Sequence, residues 1–75
     1  MNINSFKLII ERLVEKNARI GAKLTLGNET TVCIDIKQDK YGKRYIFDNG
    51  LGFTKSNIVS TIIKYQLDKE PWRFL

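Results

Sequence analysis

The sequence predicts an α+β domain of two layers, in which two helices pack on an antiparallel, three-stranded meander in the order α-β-β-β-α. Three observations support this prediction. Apolar residues recur every three or four positions near both ends of the chain, and they alternate with polar residues in between. Short clusters of glycine, asparagine and aspartate separate these segments. At 75 residues, the chain is expected to form a single domain, residues 1–75.

The first helix is expected over about residues 4–20. Its apolar residues follow the spacing of one buried stripe on a helix. They are Phe6, Ile9, Ile10, Leu13 and Val14. Gly21 stands where a helix commonly ends, because glycine adopts the left-handed backbone conformation without steric cost.

Strands are expected over about residues 22–26 and 29–37, joined by a two-residue turn at Gly27-Asn28. In the second strand Val32, Ile34 and Ile36 alternate with polar residues and are expected to face the core. The opposite face of the sheet is expected to be exposed and to carry Lys23, Thr25, Thr31, Cys33, Asp35 and Lys37.

A third strand is expected over about residues 43–48, after a turn in residues 38–42. Residues 51–53 can add a short extended segment. In this register Ile46 points away from the core, so a second arrangement, with one helix on each face of the sheet, also remains open.

The second helix is expected over about residues 54–69. Thr54 is a typical N-cap residue, and Phe53 and Ile58 are spaced for a hydrophobic staple across it. Pro71 disfavours helical geometry in the residue before it. Residues 70–75 are therefore expected to form a tail.

Charge and composition bear on partners and on cellular location. Thirteen basic residues against eight acidic ones give a net charge of +5, which favours a polyanionic partner. The single cysteine excludes an internal disulfide bond and is typical of a reducing compartment. Apolar runs are too short to cross a bilayer, and no signal segment is evident. We therefore expect a cytoplasmic protein that does not bind membranes.

Catalysis is not expected from this set of residues. The chain has no histidine, which is the usual general base and the commonest metal ligand. Cys33 lies within a predicted strand and has no partner base in the sequence pattern. The aspartates near the turns do not match the spacing of a calcium loop. We expect no enzyme activity, no cofactor and no metal.

The predicted hairpin over residues 37–45 favours nucleic-acid binding. Cations neutralise phosphates, and flat rings stack on unpaired bases. The candidate nucleic-acid-binding residues are Lys37, Lys40, Tyr41, Lys43, Arg44 and Tyr45, together with Lys55 at the start of the second helix. Alternatively, the hairpin is a solvated tip whose lysines protect a strand edge from aggregation.

The C-terminal residues Trp72, Arg73 and Phe74 offer a second interaction hypothesis. Tryptophan and arginine are enriched at interface hot spots, so these residues either dock on a partner protein or fold back onto the small core. The alternative function is therefore a protein-interaction module, an adaptor or inhibitor of a nucleic-acid enzyme, that docks through the exposed sheet face and this tail. A homodimer through that sheet face or through a free strand edge is a further alternative.

The succession of three strands and a helix over Thr30–Leu67, with Gly42-Lys43-Arg44 in a hairpin, resembles the arm-site DNA-binding domains of phage-type integrases. The resemblance rests on the order of the elements, and it does not extend to the first helix. It implies a small nucleic-acid-binding accessory protein of a phage or mobile element, and it assigns no individual residue.

Overall fold

The computed structural model describes residues 3–75, with side chains from Ser5 onward. Within these residues there are two helices, α1 (Ile3–Asn17), which precedes the strands of an antiparallel sheet, and α2 (Lys55–Leu67), which lies between its last two strands in chain order. The strands are β1 (Lys23–Leu26), β2 (Glu29–Asp39), β3 (Gly42–Phe47), β4 (Gly52–Phe53) and β5 (Trp72–Phe74). The α+β class is confirmed, but over residues 3–75 the sheet has five strands where three were expected. In this described part of the chain neither helix, at 15 and 13 residues, has the length and apolar character needed to cross a membrane.

The sheet has the order β4-β3-β2-β1-β5, so the three predicted strands form its centre. The tail provides one edge strand, in which Trp72 lies opposite Leu26 and Phe74 opposite Leu24. The backbone N–H of Lys23 donates to the carbonyl of Leu75 at 2.8 Å and extends this pairing. The tail is a strand because alternate residues, Trp72 and Phe74, reach the apolar face that β1 offers.

Both helices cover the same face of the sheet. Buried residues of the helices and of the strands form one cluster. It consists of Ile10, Val14, Ala22, Leu24, Cys33, Tyr45, Phe47, Ile58, Val59, Ile62 and Phe74. The arrangement with helices on both faces is therefore excluded, and the other side of the sheet, called the outer face here, is open.

A β-bulge in β2 changes which residues face the core. Cys33 lies opposite Phe47 and Asp35 opposite Ile46, so Ile34 is one residue in excess on β2. Cys33 is consequently 2% exposed, whereas Ile34 is 56% exposed on the outer face. The expectation that Ile34 faces the core and Cys33 faces solvent was wrong, because strict alternation assumes a strand without an inserted residue.

The same correction applies to the residues before the bulge. Thr31 lies opposite the buried Leu24 and so shares the core face, and Val32 lies opposite Lys23 on the outer face. After the bulge the expected assignment holds for Ile36, which lies opposite the buried Tyr45 and packs against the core.

Capping interactions set the bounds of α2. The Thr54 hydroxyl accepts from the Asn57 N–H at 3.1 Å, and the Asn57 side chain accepts from the Thr54 N–H. At the other end the backbone N–H of Glu70 donates to the carbonyl oxygen of Tyr65, and that of Lys69 to the carbonyl oxygen of Gln66. These two bonds form a Schellman motif. Lys69 takes the left-handed conformation there, with φ 57°. The helix therefore ends at Leu67, two residues before the expected end.

Candidate nucleic-acid interface

The hairpin of β2 and β3 extends beyond both flanking strands. Backbone bonding between β1 and β2 ends at Cys33, and β4 pairs only with Tyr45 and Ile46 of β3. Residues 35–44, called the ribbon here, therefore include strand segments that pair only with each other among the described residues. A two-residue turn, Lys40-Tyr41, closes the ribbon at its tip.

The cations of the ribbon lie on both of its faces. Lys37 and Arg44 are directly opposite each other in the register and share the outer face. Lys43 lies opposite Gln38 and points to the other side of the ribbon. Lys40 and Tyr41 form the tip, and the tyrosine is 79% exposed. Positive charge thus surrounds the ribbon on both faces and at the end.

Two carboxylates within the ribbon are engaged in its own structure. The Asp35 carboxylate accepts a hydrogen bond from the backbone N–H of Ile36 at 2.8 Å. It thereby satisfies a backbone donor that has no strand partner. The Asp39 carboxylate accepts the N–H of Tyr41 at 2.8 Å and lies 3.8 Å from the Nε of Arg44. Arg44 is therefore partly neutralised. Lys37, Lys40 and Lys43 form no salt bridge within the described residues.

The ring of Tyr41 is the aromatic surface that the ribbon offers to a ligand. Lys40 Nζ lies 5.1 Å from the centre of that ring, a cation–π distance. Tyr45, in contrast, is 3% exposed within the core. Its ring is closed to base stacking, because residue 45 has the inward orientation in the register of β3.

Lys55 lies in the helix layer, apart from the ribbon cations. It is the first residue of α2, and it lines a hollow between the helices together with Lys7, Glu11 and Glu15. Two of the residues that share this hollow with Lys55, Glu11 and Glu15, are acidic. The structure therefore does not join Lys55 to the outer face of the sheet.

The three tail residues have separate positions. Phe74 is buried, and the Trp72 indole N–H donates to the side-chain oxygen of Gln66 at 2.8 Å. Arg73 lies opposite Thr25 on the outer face and is exposed. Folding back, one of the two expected alternatives, is what the structure shows, so Trp72 and Phe74 do not form a free docking peptide.

Two cations of this surface were not among the candidate nucleic-acid-binding residues: Lys23 was expected on the exposed sheet face, and Arg73 was a candidate for protein interaction. Lys23 and Arg73 lie on the outer face, on β1 and β5. The outer face and the whole ribbon, including Lys43 on its other side, together carry six basic side chains against two acidic ones, Asp35 and Asp39. The rest of the chain holds seven basic and six acidic residues. The alternation around Lys23 indicated its face, but Arg73 could not be assigned before the tail was known to be a strand.

Gly52 supports the arginine of the ribbon from the neighbouring strand. A Cβ atom at this position would lie 3.0 Å from Ile46 Cδ1 and 3.1 Å from Arg44 Cδ. The aliphatic stem of Arg44 thus lies close over the backbone of β4. A side chain at position 52 would press on the aliphatic stem of Arg44 and shift it, so Gly52 helps to position this arginine.

Two groups near the sheet have shifted pKa values. Burial raises the pKa of the Cys33 thiol above 9.0, which disfavours the nucleophilic thiolate. Hydrogen bonds from the Thr31 hydroxyl, at 2.5 Å, and from the Val32 N–H hold the pKa of Asp48 below 3.8. Within residues 3–75, no three histidine, cysteine or acidic side chains are grouped so that they could hold a metal ion.

Neither the family models nor the curated proteins nor the solved structures compared with this chain give a match. The features of this chain that bear on function are therefore the geometry and charge of the outer face and of the ribbon.

Proposed function

We propose that this protein is a small, non-catalytic accessory protein that binds nucleic acid through the ribbon and the adjoining outer face. One observation carries the proposal: a two-stranded hairpin projects beyond its neighbours with cations on both faces and at the tip. A phosphate backbone is the partner that such an arrangement of charge suits best.

The shape of the ribbon favours a ligand that is a polyanion with a groove, such as a nucleic-acid duplex. A two-stranded ribbon is narrow enough for the major groove of duplex DNA, which is about 12 Å wide. Phosphates line both walls of that groove, and the ribbon carries Lys37 and Arg44 on one face and Lys43 on the other. Contacts of this kind fix position and supply affinity but carry little sequence information.

The distribution of charge favours binding over mere protection of a strand edge. Edge protection by charged side chains can act along both free edges of the ribbon, where the Asp35 carboxylate already occupies one backbone donor, the Ile36 N–H. It does not account for Lys23, because β1 is paired on both sides. The excess of basic over acidic residues on the ribbon and the outer face, compared with the near balance elsewhere, supports attraction of an anionic partner.

The test compares two triple variants of equal net charge. Lys37, Lys40 and Lys43 are replaced by glutamine in one protein, and Lys7, Lys16 and Lys64, on the helices, in the matched control. Fluorescence anisotropy with labelled duplex and single-stranded DNA and RNA gives the affinity at several salt concentrations. If three phosphate contacts are lost, the slope of log K against log salt for duplex DNA falls by about 2.7.

The ribbon variant is expected to lose affinity for the preferred polymer, while the control keeps a slope close to that of the wild type. Equal losses in both variants would mean that net charge alone matters, and the ribbon would then not be the site. Wild-type protein without salt-dependent binding to any of these polymers would refute the proposed function.

A second candidate function, a protein-interaction module, has one observation in its favour. Ile34 is 56% exposed at the bulge, beside the partly exposed Val32 and Ile46 on the outer face. An apolar centre of this kind suits a protein surface. Pull-down from nuclease-treated lysate with wild-type protein and with Ile34→Ser separates the two candidates. A stoichiometric protein partner that the serine variant loses would favour the second.

A further inference from the structure

Two adjoining hollows lie where α2 leaves the β1–β2 hairpin uncovered. Their volumes are about 550 and about 240 Å³, and Leu26, Glu29 and Tyr65 line both. Together they are called the groove here. Its remaining apolar lining consists of Leu24, Leu51 and Phe53. The smaller hollow, which holds most of this apolar lining, has room for an aromatic side chain.

The groove is strongly acidic in an otherwise basic protein. Four of the eight acidic residues of the chain line it, against one lysine, Lys64. These acids are Glu29, Asp48, Asp68 and Glu70. The C-terminal end of α2, which carries the negative end of the helix dipole, lies beside them. A cationic ligand with an apolar or aromatic part fits this lining.

The tip of the ribbon has this chemistry but lies at the opposite end of the molecule. β2 begins at Glu29 in the groove and ends at Asp39 beside the tip. The eleven residues of β2 are separated by ten steps of about 3.3 Å, so the strand spans about 33 Å. The greatest extent of the molecule is 34 Å. A tip therefore cannot reach the groove of its own chain, and a contact between them must join two molecules.

We propose that the groove binds the ribbon tip of a second copy of this chain. The Tyr41 ring lies against the apolar lining, and Lys40 and Lys43 lie near Glu29 and Glu70 of the neighbour. Because the two surfaces differ and lie at opposite ends, the contact is heterologous and extends molecules into chains. This inference does not depend on the proposed function, although nucleic acid would compete for the same two lysines.

Sedimentation of wild-type protein free of nucleic acid gives the first test. We expect concentration-dependent self-association at concentrations up to about 1 mM, the weak end of specific affinities. Exposed charge pairs are screened as the Debye length falls from about 10 Å at 0.1 M salt to about 3 Å at 1 M. Association should therefore weaken with salt. A monomer at all concentrations in 0.1 M salt would overturn the proposal.

Charge reversal gives the specific test. The tip variant Lys40→Glu/Lys43→Glu and the groove variant Glu29→Lys/Glu70→Lys should each be monomeric, because like charges then meet at the contact. An equimolar mixture of the two should associate again. The protein with all four substitutions, whose net charge of +5 equals that of the wild type, should also self-associate. Single-surface variants that associate normally, or a folded quadruple variant that stays monomeric, would refute the pairing.

A peptide of residues 37–45 tests the groove without any change to the fold. The labelled peptide should bind wild-type protein and lose about tenfold or more in affinity toward the groove variant. A peptide of the same composition in scrambled order is the matched control. Equal binding of the two peptides would mean that the groove takes any basic segment, and the proposed pairing with the tip would be wrong.

Discussion

Replacing Phe74 by alanine measures how far the C-terminal tail belongs to the fold. Phe74 is 2% exposed and lies opposite Leu24 in the pairing of β5 with β1. Truncation of a buried phenylalanine to alanine costs about 3–5 kcal/mol. A domain of 75 residues has a free energy of unfolding of about 4–11 kcal/mol. The substitution should therefore remove a large share of the total stability.

Urea unfolding followed by circular dichroism measures this loss. A destabilisation of 3 kcal/mol corresponds to a fall in Tm of at least about 12 °C in a domain of this size. Leu75→Ala is the matched control, because this side chain is 59% exposed and its loss should change stability by less than about 0.5 kcal/mol. A cost below about 1 kcal/mol for Phe74→Ala would refute the assignment of the tail to the core.

Three further predictions concern local features of the structure. Lys69→Gly should stabilise the protein by about 1 kcal/mol, because glycine takes the left-handed conformation at lower cost, whereas Lys69→Ala should give no such gain in urea unfolding. Because the folded-state pKa of Asp48 is lowered, its contribution to stability is complete above pH 3.8 and is lost as the pH falls through the lower folded-state pKa. Asp48→Asn should therefore reduce the fall in the free energy of unfolding that the wild type shows at acid pH. An unchanged fall would contradict the hydrogen bonds from Thr31 and Val32. Cys33 should react with a thiol reagent only under unfolding conditions, and rapid labelling of the native protein would show that it is accessible.

The sequence predicted those parts of the fold that depend on local pattern and turn chemistry. The β1–β2 turn falls at Gly27-Asn28, and Thr54 caps α2, both as expected. The end of α2 was placed too late because Lys69, a residue without special preference for the left-handed conformation, terminates the helix in place of glycine.

The local sequence pattern could not predict the features that depend on tertiary structure. The bulge at Ile34 reverses the faces of Thr31, Val32 and Cys33, and a sequence alone does not show where a strand holds an extra residue. β5 exists because β1 offers an edge for it, and its three residues are too few for a periodic pattern. The ribbon cations were identifiable by residue type, but the inward direction of Tyr45 required the register of β3.

NMR mapping of the bound surface shows whether nucleic acid binds at the ribbon. Labelled protein is titrated with a short DNA duplex in low salt, and the backbone amide shifts are followed for every residue. If the ribbon binds the duplex, the largest changes lie in residues 35–44, with smaller ones at Lys23 and Arg73 on the outer face. Shifts concentrated on α1 or on the groove, with the ribbon unchanged at saturation, would contradict binding at the ribbon.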